Sequence, residues 1–255
     1  MLKELDFRYY TNRIRQTRGQ TQEARITYLR VIKDHPTKEK FNYEFARFLR
    51  DEKLYKEAEF RYRKTSIIMP KEIIVYTEWG LVLDVQGKLE GQEELFRKVV
   101  EREPNSNHGL CNLGAILARK CKFEEAIDVF EKALVDRPND TLILSNLAAV
   151  YLTLGKYDKT VEKLQKALEV NGNHIETHVN LGLANSCLGK DDEAKKNFQR
   201  VLDSLGNNSY KKKEILRSLK LTKENLLKEG NDEEKRSHNE RFIKALGEFI
   251  ALLEE

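Results

Sequence analysis

Residues 112–138 read NLGAILARKCKFEEAIDVFEKALVDRP, residues 146–172 read NLAAVYLTLGKYDKTVEKLQKALEVNG, and residues 180–206 read NLGLANSCLGKDDEAKKNFQRVLDSLG. The three stretches start 34 residues apart and align without insertion or deletion. Each reads as two amphipathic helices joined by a short turn. The step continues upstream, because the four prolines are Pro36, Pro70, Pro104 and Pro138. A period of this length sets the architecture before any local feature does. It cuts the chain into windows 5–38, 39–72, 73–106, 107–140, 141–174 and 175–208.

The punctuation stays in phase. Position 15 of the window lies in the turn and is Gly19, Lys53, Gly87, Cys121, Gly155 and Gly189. Glycine suits the left-handed conformation that often follows a helix. Position 8 (Asn12, Ala46, Gly80, Gly114, Ala148, Gly182) and position 20 (Ala24, Ala58, Gln92, Ala126, Thr160, Ala194) are mostly small, so the paired helices can approach closely. Position 24 is a large apolar knob: Tyr28, Tyr62, Phe96, Phe130, Leu164 and Phe198. Position 7 is mostly large as well, with Phe45, Trp79, Leu113, Leu147 and Leu181. The prolines fall at position 32, just past the second helix, where helix continuation is blocked. Gly172 and Gly206 take that place in the last two windows.

This pattern resembles the tetratricopeptide repeat (TPR) family, with its W-x2-L-G-x2-Y, A, F and P spacing. The resemblance covers residues 5–208 and is closest in the last three windows. The first window is weaker, since Thr11 replaces the large residue at position 7, as suits an N-terminal cap. The fold it implies is all-α: a right-handed α-solenoid (superhelix) of six TPR hairpins, followed by C-terminal capping helices in 209–255.

After Asn208 the period fails. Residues 209–229 read as one more helix, with Tyr210, Ile215, Leu216, Leu219 and Leu226 as its apolar side. Residues 230–240 are polar and turn-like. Beyond them Phe242, Ile243, Leu246, Phe249, Ile250 and Leu253 recur at helical spacing, and such a stripe must be buried somewhere. It either folds back on the array or meets a partner or a second copy through Phe242, Ile243, Leu246, Phe249 and Ile250.

The resemblance further implies that positions 2, 5, 6, 9, 12 and 13 face a concave groove. Position 6 then supplies Asn112, Asn146 and Asn180 in three successive repeats. An asparagine amide both donates to and accepts from a peptide backbone, and peptide-holding TPR proteins use such asparagines this way. Position 9 adds Leu81, Ala115, Ala149 and Leu183. Toward the N-terminus the groove turns basic and aromatic, with Tyr9, Arg13, Tyr43, Arg47 and Arg50. Residues 1–70 hold 17 Lys/Arg against 10 Asp/Glu, in a chain of net charge +4. Guanidinium groups beside tyrosines suit carboxylate or phosphate. The carboxylate clamp of chaperone-binding TPR domains is not reproduced, because Tyr43 and Arg47 are followed by Glu78.

No catalytic or phosphate-binding motif is present, and no cofactor or metal is expected. His174 and His178 are four apart, but the first falls in the turn between repeats. Three cysteines, Cys111, Cys121 and Cys187, match neither a disulfide framework nor a zinc pattern and suggest a reducing compartment. The N-terminal MLKELDFRYYTNRIRQ is too charged for a signal peptide, and no apolar run could span a membrane. A soluble cytoplasmic protein follows. The expected function is that of a non-catalytic scaffold or adaptor, not an enzyme, which binds an extended or helical segment of another protein in the groove. Self-assembly through the ends of the array is the alternative. RNA binding is a further one, against which stands the lack of a continuous basic lining.

Overall fold

The computed structural model describes residues 21–170, 174–206, 208–228 and 233–254. Among them are thirteen α-helices and no strand. In chain order these are α1 (Thr21–Asp34), α2 (Glu39–Asp51), α3 (Tyr55–Ile68), α4 (Ile73–Val85) and α5 (Leu89–Arg102). There follow α6 (Asn107–Arg119), α7 (Phe123–Asp136), α8 (Thr141–Thr153), α9 (Tyr157–Val170) and α10 (Ile175–Cys187). The last three are α11 (Asp191–Leu205), α12 (Ser209–Lys228) and α13 (Glu233–Glu254). The chain forms two compact units, residues 1–116 and 117–255.

Helix starts keep the sequence period. First helices begin at Glu39, Ile73, Asn107, Thr141 and Ile175, and second helices at Thr21, Tyr55, Leu89, Phe123, Tyr157 and Asp191. Every step is 34 residues. The turn at position 15 explains the sharp boundary. Lys53, Gly87, Cys121, Gly155 and Gly189 all have φ between 58 and 72°. In each turn the next N–H reaches back five residues: Leu54 to the carbonyl of Leu49 at 2.8 Å, and Lys88, Lys122, Lys156 and Lys190 to those of Leu83, Leu117, Tyr151 and Asn185 at 2.9 Å. These bonds satisfy carbonyls that the helix end would orphan.

Positions 8, 20 and 24 interlock as the small–large pattern requires. A Cβ on Gly80 would lie 2.8 Å from Phe96, and one on Gly182 would lie 2.2 Å from Phe198. Where position 20 is not alanine, its polar atom is satisfied by the partner helix. Gln92 Nε2 donates to the Gly80 carbonyl at 2.9 Å, and Thr160 Oγ1 to the Ala148 carbonyl at 3.4 Å.

In the first unit the core is aromatic. Tyr28 of α1 stacks on Phe45 of α2 with ring centroids 4.9 Å apart, and Tyr62, Val75 and Val82 complete the cluster. In the second unit α8 and α9 pack on α10 and α11, with Leu147, Leu164 and Leu181 buried between them.

The tail departs from expectation in two ways. α13 starts at Glu233 and runs 22 residues, so 233–240 are helical and not turn. Glu, Lys and Arg there are good helix formers. On α12, Leu219 is buried and Ile215 and Leu216 half-buried, whereas Tyr210 is exposed. The Leu226 side chain lies outside the described residues. The α13 stripe takes the first of its two expected courses and folds back on the array: α13 packs on α10 and α12, and Phe249 stacks on Phe198 with centroids 4.2 Å apart. Of the residues offered for self-association, Phe242, Leu246, Phe249 and Ile250 are buried against the protein's own helices and Ile243 is half-buried.

Candidate protein-interaction site

In the first unit the basic residues at the expected groove positions meet a carboxylate of their own. Glu78 on α4 is nearly buried, and its Oε2 accepts from Tyr62 Oη at 2.7 Å and from Arg50 Nη1 at 2.7 Å. Arg50 also holds Asp51 at 2.8 Å. Arg47 is looser: it sits 3.7 Å from Glu78 and 3.8 Å from Glu44, with its guanidinium 5.7 Å from the Tyr43 ring centre. Burial, followed by the charge of Glu78, pushes the Tyr43 pKa up to about 12. Of the two arginines, Arg47 keeps the more accessible guanidinium, because Arg50 is committed to Glu78 and Asp51. Beside them Ile74, Leu81 and Val85 form an exposed apolar strip at helical spacing on α4. Tyr9 and Arg13 lie outside the described residues.

Asn112 and Ala115, also in the first unit, are half-buried, and Asn112 Nδ2 donates to the His108 carbonyl of its own helix at 2.7 Å. In the second unit Asn146 and Asn180 take corresponding places on α8 and α10, both half-buried. The Asn180 amide has no hydrogen-bond partner among the described residues. Ala149 is exposed, as is Leu142 one turn before Asn146.

Leu183 differs from expectation. It is only 2% exposed, since α13 packs on α10 and Leu219 of α12 joins the same apolar cluster. Ser186 Oγ donates to Glu248 of α13 at 3.3 Å. The open groove expected over the sixth repeat is thus roofed by the tail. Beneath the roof remains a cavity of about 270 Å³, walled by Leu152, Val179, Leu183, Leu219, Phe242 and Leu246, with Asn180 and Glu176 on its lining. Sequence reasoning missed the α12 and α13 contributions. Their apolar stripes announced burial without naming the surface that receives them.

His174 and His178 diverge. His178 is buried with Nδ1 3.0 Å from Asn197 Oδ1, whereas His174 is exposed beside Glu176. Among the described residues no group of three or more metal-ligating side chains comes together. No helix there is long and apolar enough to cross a membrane.

The helical hairpins, their 34-residue register and the left-handed turns define a protein of helical repeats. Residues 108–140 and 140–206 match two family models, each described as tetratricopeptide repeat. That stretch, residues 108–206, is thus built of tetratricopeptide repeats. Among solved structures it resembles MamA from Desulfovibrio magneticus RS-1, at TM-score 0.58 and 20% identity over 65% of this chain and 94% of that one. It also resembles YrrB, described as a TPR protein with an unusual peptide-binding site, at 0.56 and 16% over 71% and 93%. A third is in the Cut9–Hcn1 hetero-tetramer of the APC/C, at 0.55 and 20% over 74% and 38%. At these identities the likeness is one of fold. No curated relative matches the chain.

Proposed function

We propose that the chain is a non-catalytic scaffold or adaptor that binds a segment of a partner protein along its first helices. The observation that carries the reading is Asn180: a half-buried amide without a partner among the described residues, beside an apolar cavity. An unpaired amide next to apolar surface offers one donor and one acceptor to a peptide backbone. Asn146 would act with it in the second unit, beside the exposed Leu142 and Ala149. In the first unit, Asn112, Tyr43, Arg47, Arg50, Leu81 and Ala115, with Tyr9 and Arg13, would supply a more basic and aromatic surface. There Arg47 is the cation best placed for an acidic group. The peptide-binding site named for YrrB and the assembly named for Cut9–Hcn1 are consistent with such a role. The free cysteines favour a reducing compartment such as the cytoplasm.

The test is to select peptides from a displayed random library on the whole chain and measure their affinity for an Asn146→Ala/Asn180→Ala double variant. Each of the two lost backbone hydrogen bonds should cost about 0.5–1.5 kcal/mol, so weakening of roughly 5- to 150-fold is expected. Unchanged affinity in a correctly folded double variant overturns the role of the asparagines.

A further inference from the structure

The cavity under the tail is more than leftover space. α12 and α13 meet α10 so as to leave an open-mouthed pocket of about 270 Å³ between Leu152, Leu183, Leu219, Phe242 and Leu246. A site half this size, lined by Leu, Ile and Phe, is enough to hold benzene. The volume lies just below the roughly 300–1,000 Å³ of small-molecule sites. It matches one large side chain better than a cofactor.

The polar groups of the lining say what kind of chain brings that side chain. Glu176 is its one charged residue, and its side chain is well exposed. It has no lysine or arginine partner among the described residues; the exposed His174 Nδ1 lies 3.2 Å away. A carboxylate at this place repels an acidic segment and favours a basic one. The Asn180 amide on the same lining is available to a backbone. The protein's own apolar tail is not the missing occupant, because Phe249 is stacked on Phe198 and Phe242 and Leu246 already form the walls.

We propose that the C-terminal helices complete a pocket on the sixth repeat. It receives one leucine, methionine or phenylalanine of a partner segment that carries lysine or arginine close by. The inference rests on the groove reading above and specifies its anchor. The tail then has two roles: it caps the array and supplies half of a specificity pocket. Burying such a side chain contributes on the order of 10- to 100-fold in affinity.

The experiment uses the full chain and a displayed random peptide library as probe. Selected peptides should share one large apolar residue with Lys or Arg within about one helical turn or a few extended residues. Replacing the apolar residue by alanine should weaken binding at least tenfold. Thr222→Trp and, separately, Ser218→Phe fill the cavity from exposed positions on α12, and each should do the same with an unchanged thermal midpoint. Glu176→Lys should turn the selection toward acidic flanks. If peptides lack the apolar residue, or bind both plugged variants as well as the parent, the pocket claim falls. A selection that yields no binder sensitive to the plugs counts against it equally. Concentration-dependent dimerisation abolished by Thr222→Trp would replace the partner by a second copy. If the double asparagine variant loses binding while the plugged variants keep it, the groove stands without the pocket. If neither change matters, both readings fall.

Discussion

A Cβ built on Gly182 would sit 2.2 Å from Cε1 of Phe198, closer than any real side-chain contact. Phe198 cannot easily retreat, because its other face is stacked on Phe249. Alanine is the better helix former by about 1 kcal/mol, but overpacking typically costs about 1–3 kcal/mol. Gly182→Ala is therefore expected to destabilise the second unit, with a lower denaturation midpoint. Gly80→Ala, with a 2.8 Å contact to Phe96, should cost less. Equal effects at the two sites would contradict the packing argument.

Two turns pay for the wrong residue. Lys53 and Cys121 have φ of 61 and 58°, in the place where Gly87, Gly155 and Gly189 serve the other repeats. A left-handed conformation costs a side-chain-bearing residue about 1–2 kcal/mol. Glycine gives part of that back by loosening the unfolded chain. Lys53→Gly and Cys121→Gly should each stabilise by about 0.5–1 kcal/mol, whereas Gly155→Ala should move the midpoint the other way. Chemical denaturation of the three variants checks the signs.

Glu78 gathers Tyr62 and Arg50 around one carboxylate oxygen. Glu78→Gln keeps an acceptor for Tyr62 but removes the charge opposite Arg50. Hydrogen bonds to charged groups contribute about 1.5–3 kcal/mol, and a loss toward the lower end is expected, since Arg50 retains Asp51. If Arg50 is instead released to serve a ligand, the same variant should bind acidic peptides more tightly. Calorimetric unfolding and peptide titration report the two effects separately.

Tyrosines make the fold sensitive to base. Burial, with the nearby Glu78, raises Tyr43 to about 12, and burial with the Glu131 hydrogen bond raises Tyr151 to about 12. A phenol whose pKa is higher in the folded state holds its proton more tightly there than in the unfolded chain. That stabilisation is complete below the ordinary tyrosine value of about 10 and is lost as the pH climbs to about 12. Stability should thus decline across this window, and Tyr151→Phe should make the decline shallower. The denaturation midpoint followed against pH, with tyrosinate absorbance as the titration probe, provides the measurement.

Helix starts were legible in the sequence because they depend on local chemistry. A glycine-like turn at position 15 and a proline at position 32 mark boundaries wherever they occur, and the 34-residue step repeats them. The close helix approach at Gly182 was legible for a similar reason, as the small residue at position 8 recurs in phase, whereas its contact with Phe198 was not. The tail was not. Its stripe of Phe242, Leu246, Phe249 and Leu253 required burial, but its receiving surface lies some fifty residues earlier, outside any period. The cover over Leu183 was hidden for the same reason, since nothing local to α10 announces a roof. The choice of Glu78 as the anchor for Arg50 was equally hidden. In a chain with 35% charged residues, many pairs are possible and side-chain reach decides among them.

The stacking of Phe249 on Phe198 also imposes an order of events during synthesis. Ring and partner are fifty-one residues apart in the chain, and translation adds about 5–20 residues per second. For roughly 3–10 s after Phe198 is made, the sixth repeat has no aromatic to cover it. Earlier repeats wait far less: Phe45 follows Tyr28 after only seventeen residues. During that interval the newborn protein carries an uncovered apolar face on its sixth repeat, a surface for a chaperone to protect.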